Sequence, residues 1–376
     1  MPAADRPDSR DTDSSPTDDD AADDVSGVGA LATVGWGARV AALVHDAADA
    51  LQLAGGRAVP GRVQRVDNTH VVVQRADDLV QAPLATLPAE IRDDPLARPT
   101  TGDWVLLGPD EDEPPLVAVL ERWSQLTRAD ALGRAEQALA ADVDEVLVVH
   151  GLDRPLRIGR LERLAALALD AGAVPCFVLT KADLASPDEV AAAVAVARSV
   201  SPSIDVVVVS SASGAGLDQI TERLRPDRTA VLLGESGAGK SSLVNALVAR
   251  DTTEVGRVRS GDAKGRHTTT TRDLFGVPGG GVLIDTPGLR AVGLWESNAG
   301  IARLFEDLED LADTCRFNDC EHQAEPGCAL RAAVAAGDID ADRLERWLGY
   351  VDELDEIDAL RAERERAASR GRRPRR

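Results

Sequence analysis

A short β-type run, Thr229 to Leu233, leads directly into Gly234-Glu-Ser-Gly-Ala-Gly239-Lys240-Ser241, and a helical pattern follows over Ser242 to Ala249. Strand, glycine-rich loop and helix in that order admit few folds, because the loop needs a buried strand behind it and a helix N-terminus in front. Glycines let backbone N–H groups close around an anion, and the helix dipole adds positive potential. The segment reads as a phosphate-binding loop, with Gly234, Glu235, Ser236, Gly237, Ala238, Gly239, Lys240, Ser241 and Ser242 around a nucleotide. Lys240 is expected at the β- and γ-phosphates as part of the catalytic machinery, and Ser241 in the shell of a nucleotide-bound Mg2+. Arginine carries nearly all the positive charge of the chain, and lysine occurs only at Lys181, Lys240 and Lys264. A retained ammonium marks a position where a planar guanidinium does not fit, and Lys240 stands where the loop requires one.

From about residue 140 the chain alternates buried strands with helices, the texture of a parallel α/β sheet. The strands expected are Glu145 to His150, Pro175 to Leu179, Asp205 to Val209, Thr229 to Leu233 and Gly281 to Ile284. Functional loops of such sheets lie at the C-terminal strand ends, and that is where the remaining motifs fall. Thr180-Lys181-Ala182-Asp183 resembles the N-K-x-D guanine motif of GTPases. Its aspartate can accept hydrogen bonds from the guanine N1–H and N2 amine, a donor pair adenine does not offer. Ser210-Ser211-Ala212 resembles a third base-contacting loop. Asp285-Thr286-Pro287-Gly288 resembles the D-x-x-G motif, with Asp285 near Mg2+ and the Gly288 amide toward the γ-phosphate. Gly265 to Thr271, with its run of threonines, occupies the place of switch I. The order is base motif first and phosphate loop second, the reverse of an ordinary GTPase and the mark of a circular permutation. It also makes the segment after Gly288 run straight into the C-terminal helices.

Two further regions flank this core. Residues 58–125 carry short β runs (Gly61 to Val66, His70 to Gln74, Asp103 to Leu107, Leu116 to Leu120) separated by turn clusters, as in a small β-barrel. A short helix over residues 35–54, with Val40, Leu43, Val44 and Leu51 at helical spacing, leads into them. At the other end, Cys315-x4-Cys320-x-His322-x5-Cys328 supplies three thiolates and one imidazole, a closed set suited to structural Zn2+. The alternative is a group of unligated core cysteines. Cys176, within an apolar run, reads as a buried strand residue, and Leu344, Trp347, Leu348, Val351, Leu354 and Ile357 form the packing stripe of one amphipathic helix.

The division expected is therefore an acidic disordered tail (1–30), a helical lead-in (31–57), the barrel (58–125), a permuted GTPase domain (126–296) and a helical zinc domain with an Arg-rich tail (297–376). The net charge is −22, but nine Asp and two Arg within residues 1–30 concentrate much of it, so global charge neither supports nor excludes an RNA partner. No apolar run approaches the ~20 residues of a membrane span and no signal-peptide pattern is present, so no membrane role and a cytoplasmic location are expected.

Together these motifs resemble the ribosome small-subunit-dependent GTPase A family, over roughly residues 58–330 and including Gly102-Asp103-Trp104-Val105 in the barrel. The resemblance implies an N-terminal OB-fold, a permuted GTPase domain and a zinc domain. It further implies GTP hydrolysis coupled to late maturation of the 30S subunit, with contacts to 16S rRNA, by a protein expected to act as a monomer. The barrel has few aromatic residues, Trp104 and Trp123 among them, so base stacking on RNA does not follow from its sequence; phosphate contacts by Arg62, Arg65 and Arg75, or by the C-terminal tail arginines, are the candidate RNA contacts. Leu289 stands where many GTPases place a water-orienting Gln, and leucine cannot form that hydrogen bond. His267 in the switch I segment is the best local substitute as the catalytic group, and the resemblance points to it too. The rival readings are a non-catalytic GTP-dependent RNA-binding scaffold and an ATP-dependent assembly factor.

Overall fold

The computed structural model describes residues 29–51, 58–109, 112–129, 136–248, 273–285 and 298–371. The acidic tail up to residue 28, the switch I segment with His267, Gly288 with Leu289, and Arg372 to Arg376 lie outside them. Helix α1 (Ala38–Ala50) precedes β1 (Val59–Val66), β2 (His70–Gln74), β3 (Leu79–Pro83), the short α2 (Ala89–Arg92), β4 (Trp104–Leu107) and β5 (Leu116–Val119). These strands form a five-stranded sheet in the order β3-β2-β1-β4-β5, antiparallel throughout. Strand β3 was not foreseen. Leu51, placed on the α1 stripe by spacing, is exposed, whereas Val40 is buried.

Strand β4 is buried on both faces. Its alternating side chains serve two cores, Val105 and Leu107 packing with Val63, Val71 and Val73, while Trp104 and Leu106 pack with Leu126, Leu139 and Val146. A hairpin of β6 (Gln125–Ala129) and β7 (Glu136–Ala141), also unforeseen, sits at the expected domain boundary.

The second sheet contains β8 (Glu145–Gly151), β9 (Val174–Thr180), β10 (Asp205–Val208), β11 (Thr229–Leu233), β12 (Asp273–Gly276) and β13 (Val282–Asp285). Helices α3 (Ile158–Asp170), α4 (Pro187–Arg198), α5 (Leu217–Arg223) and α6 (Lys240–Val248) connect them. The order is β10-β9-β8-β11-β13-β12, with all neighbours parallel except β12, which runs antiparallel to β13 and makes the sheet mixed. Strands buried on both faces explain the near-continuous apolar runs. Cys176 lies fully buried in β9, where burial pushes its thiol up to about 12. Helix α4 starts where Ser186 and Glu189 form a reciprocal capping box ahead of Pro187.

Helices α7 (Asn298–Leu304), α8 (Glu306–Ala312), α9 (Ala329–Ala336) and α10 (Ala341–Gly371) complete the chain. Leu344, Trp347 and Ile357 of the α10 stripe are buried. Gly300 of α7 lies so close to the Ala166 carbonyl of α3 that a side chain would collide with it. Across the same junction Arg346 meets Glu162 at 2.6 Å and Arg163 meets Glu353 at 2.9 Å. No helix among the described residues is long and apolar enough to cross a membrane.

Arg62 is not a surface cation. It is fully buried, donating from Nε to the Gly102 carbonyl (3.0 Å), from Nη1 to the Val34 carbonyl (2.5 Å) and from Nη2 to Thr229 Oγ1 (2.8 Å). One guanidinium thus joins the lead-in, the antiparallel sheet and β11. Arg75 is paired with Asp78 at 2.6 Å, and Arg65 lies 3.8 Å from Asp67. Trp104 is fully buried and therefore unavailable for base stacking, and the Arg39 guanidinium lies 4.8 Å over the Trp123 ring.

The same junction holds Asp142, at φ 56°, with its carboxylate accepting the Trp123 N–H at 3.3 Å. Burial first, and the Asp103 carboxylate second, push it up to about 8. An unfolded Asp releases its proton near pH ~4, so the native state holds a proton the unfolded chain has lost. This contribution is fully present below that pH and disappears as pH rises through about 8. Asp142→Asn keeps a residue type suited to left-handed backbone and removes the titration. Urea unfolding from pH 5 to 9 should show parent stability declining more steeply than that of the variant; parallel profiles would contradict the assignment.

Candidate nucleotide site and metal cluster

The parallel register brings the C-terminal ends of the strands to one edge, pairing Gly151 with Thr180, Val148 with Leu233 and Leu232 with Asp285. From β8 the chain builds outward through β9 and β10, then crosses to β11 on the other side of β8. The edge between β8 and β11 is thus a topological switch point, where sheets of this type bind ligands.

The phosphate loop leaves β11 at this point. Gly234, at φ 152°, passes the Val149 carbonyl so closely that a Cβ there would lie 2.2 Å from it. Gly239, at φ 97°, leaves room for Thr180. The Thr180 side chain, 1% exposed, donates from Oγ1 to the Ala238 carbonyl inside the loop. Threonine where the guanine motif ordinarily has asparagine still supplies a tie between the two loops. Lys181, at φ 60°, donates from Nζ to the Gly237 carbonyl and to Asp153 Oδ2, both at 2.7 Å. The Lys181 ammonium, ahead of Arg154, holds the Asp153 carboxyl down at about 2. The Ala182 N–H bonds the Val209 carbonyl at 3.2 Å. Asp183 Oδ1 accepts from Ser210 Oγ at 2.5 Å, which fixes the carboxylate against the next loop, where Ser211 and the exposed Ala212 follow.

Lys240 opens α6 and donates from Nζ to the Gly234 and Glu235 carbonyls at 2.7 and 2.9 Å. Burial lowers its affinity for the proton, while Asp285 acts in the opposite sense. Ser241 and Ser242 are exposed in the first turn of α6. Asp285 ends β13, partly buried, and burial raises its carboxyl above the usual range, a disfavoured charge that a cation would relieve. The Ser241 hydroxyl and the Asp285 carboxylate are hard oxygen donors, the chemistry that suits Mg2+.

The sequence reading missed the loop between β8 and α3. Arg154 reaches from it to the Ser236 and Gly237 carbonyls, each at 3.3 Å, and to Glu235 Oε2 at 3.5 Å; Arg160 also pairs with Glu235. No motif marks Arg154. The available signal was positional, since β8 was the one central strand whose C-terminal loop carried no assigned residue.

Cys315, Cys320, His322 and Cys328 converge, their ligand atoms all within 4.8 Å of one another. His322 Nδ1 lies 3.6 Å from both Cys315 Sγ and Cys328 Sγ, and those sulfurs are 4.0 Å apart. Tetrahedral bonds of ordinary zinc length would separate S and N by about 3.6 Å and two sulfurs by about 3.8 Å. The set therefore fits one tetrahedral metal ion. The Ala329 N–H points to Cys315 Sγ at 3.3 Å and the Arg331 N–H to Cys328 Sγ at 3.5 Å, both supporting thiolate charge. The other described histidines stand apart from it: His45 faces Asp49, His70 contacts Thr69, and His150 is buried against the Arg154 carbonyl.

A model of the family described as RsgA GTPase matches residues 119–295. A relative from Streptomyces coelicolor, named small ribosomal subunit biogenesis GTPase RsgA, is 44% identical over 83% of this chain and 85% of its own. A protein of the same name from Xylella fastidiosa (strain M23) is 41% identical over 77% of this chain and 86% of its own. Among solved structures, YjeQ from Thermotoga maritima superposes with a TM-score of 0.60 at 26% identity, covering 79% of this chain and 98% of that one. YloQ, described as a circularly permuted GTPase, shares the fold with a TM-score of 0.58 at 22% identity, covering 81% and 97%. Sheet order, loop order and these likenesses define a circularly permuted GTPase fold. The chain belongs to the RsgA GTPase family.

The cluster geometry leads to a direct expectation. Metal analysis of purified protein should find one ion per chain, and Cys320→Ala should lose it and lower the melting temperature while nucleotide binding persists. Native protein without bound metal would reject the site.

Proposed function

We propose that this chain is a GTP hydrolase acting in late maturation of the 30S ribosomal subunit, with turnover stimulated by that subunit. The observation carrying this reading is the bonding between loops at the sheet edge. Asp183 is held by Ser210 and Thr180 is tied to Ala238, so a guanine-selecting carboxylate and a phosphate loop form one unit. In this arrangement Thr180, Lys181, Ala182 and Asp183 with Ser210, Ser211 and Ala212 take the base. Residues Gly234 to Ser242 take the phosphates, and Lys240 meets the β- and γ-oxygens. Ser241 and Asp285 would hold Mg2+, which when bound neutralises charge on those oxygens. Outside the described residues, the Gly288 amide is assigned to the γ-phosphate and His267 to orienting the attacking water, in place of the glutamine for which Leu289 stands.

The Cys315, Cys320, His322 and Cys328 set holds Zn2+ as a structural ion, since all four positions of a tetrahedron are filled by protein. The antiparallel sheet within residues 58–125 is the OB-like platform that meets 16S rRNA, and residues 126–296 and 297–376 are the GTPase and zinc domains. The protein acts as a monomer, and in the cytoplasm, with which the relatives' named role in ribosome biogenesis is consistent.

Asp183→Asn should weaken GTP binding by about tenfold or more and improve binding of xanthosine triphosphate, because the carboxamide presents a donor where the carboxylate only accepts. Competition binding with GTP, ATP and xanthosine triphosphate measures both effects. Equal affinity of the parent for GTP and ATP would sink the proposal.

A further inference from the structure

The second residue of the phosphate loop is Glu235, a carboxylate inside a loop built to hold polyanions. Left alone it would repel the ligand. It is not alone, because Arg154 lies 3.5 Å from it and Arg160 pairs with it as well. Arg154 also donates to the Ser236 and Gly237 carbonyls. In a trans peptide the carbonyl and the following N–H point to opposite sides. The Ser236 carbonyl, turned to Arg154, therefore sends the Gly237 N–H to the opposite side of the loop. Lys181 holds the Gly237 carbonyl as well.

We propose that Arg154 is a positioning residue of the nucleotide site: with Arg160 it neutralises Glu235, and it fixes the Ser236–Gly237 peptide in the orientation that binds phosphate. The proposal rests on the GTPase reading above and deepens it. Its specific consequence is that Arg154 matters in proportion to the negative charge of the ligand. The base, selected at Asp183 on another loop, does not depend on it.

Displacement of a fluorescent GDP analogue by GTP, GDP and GMP tests this. Arg154→Ala should weaken GTP by about tenfold, GDP by less and GMP least, a gradation that a general loss of structure would not produce. Glu235→Gln in the Arg154→Ala background should restore the part of the GTP affinity that neutralising Glu235 supplies, leaving a smaller deficit from the unheld Ser236–Gly237 peptide. Glu235→Gln alone leaves both arginines beside the loop, and should bind GTP more tightly than the parent at low salt and lose that advantage as salt rises. The proposal is overturned if Arg154→Ala binds all three nucleotides like the parent, if the loss is equal for all three, or if the double variant stays as weak as the single one. A parent protein that binds no GTP would instead overturn the GTPase reading itself.

Discussion

The Thr180 hydroxyl on the Ala238 carbonyl is the interaction on which the arrangement of the nucleotide site depends. Thr180 ends β9 and Ala238 lies beyond β11, with β8 between those strands in the sheet. The side chain therefore bridges past a whole strand, and Gly239 leaves it room, since a Cβ there would lie 3.0 Å from the Thr180 hydroxyl. Asp183 and Ser210 extend the tie to the loop after β10. Three loops that are distant in the chain become one surface. Permutation does not disturb this, since the sheet order is unchanged if the chain is imagined to begin at β11 instead of β8.

Around that surface the other layers are joined by few, well-buried connections. Strand β4 contributes alternate side chains to two cores, and Arg62 gathers acceptors from the lead-in, the antiparallel sheet and β11. Thr229 is one of those acceptors, and it begins the strand whose far end carries the phosphate loop. On the opposite flank α7 and α10 rest on α3, so the metal cluster shares a continuous core with the GTPase sheet. A change at the nucleotide edge thus has packed routes to both flanks.

The parallel strands of the mixed sheet were legible as apolar runs, which burial on both faces writes into β8, β9, β11 and β13, and the motifs at their ends followed from that; the half-buried edge strand β12 was not foreseen. The cysteine spacing likewise marked the candidate metal ligands, which the fold brings together. Other features had weak local signals. Strand β3 is Leu79–Pro83, with Leu79 exposed and a proline at its end. The β6–β7 hairpin is polar and alanine-rich, a composition stabilised by pairing and not by propensity. Arg62 within a strand reads as a surface cation until three-dimensional packing shows its acceptors. Arg154 has no motif at all, and its place at the phosphate loop emerges only from the register of β8 beside β11.

The central claim is that these loops serve GTP turnover governed by the small ribosomal subunit. The most direct measurement is hydrolysis of GTP and ATP by the purified parent protein, with and without purified small subunits. GTP should turn over slowly alone and on the order of tenfold or more faster with the subunit present, while ATP is left intact. Equal hydrolysis of the two nucleotides, or a GTP rate indifferent to the subunit, would contradict it.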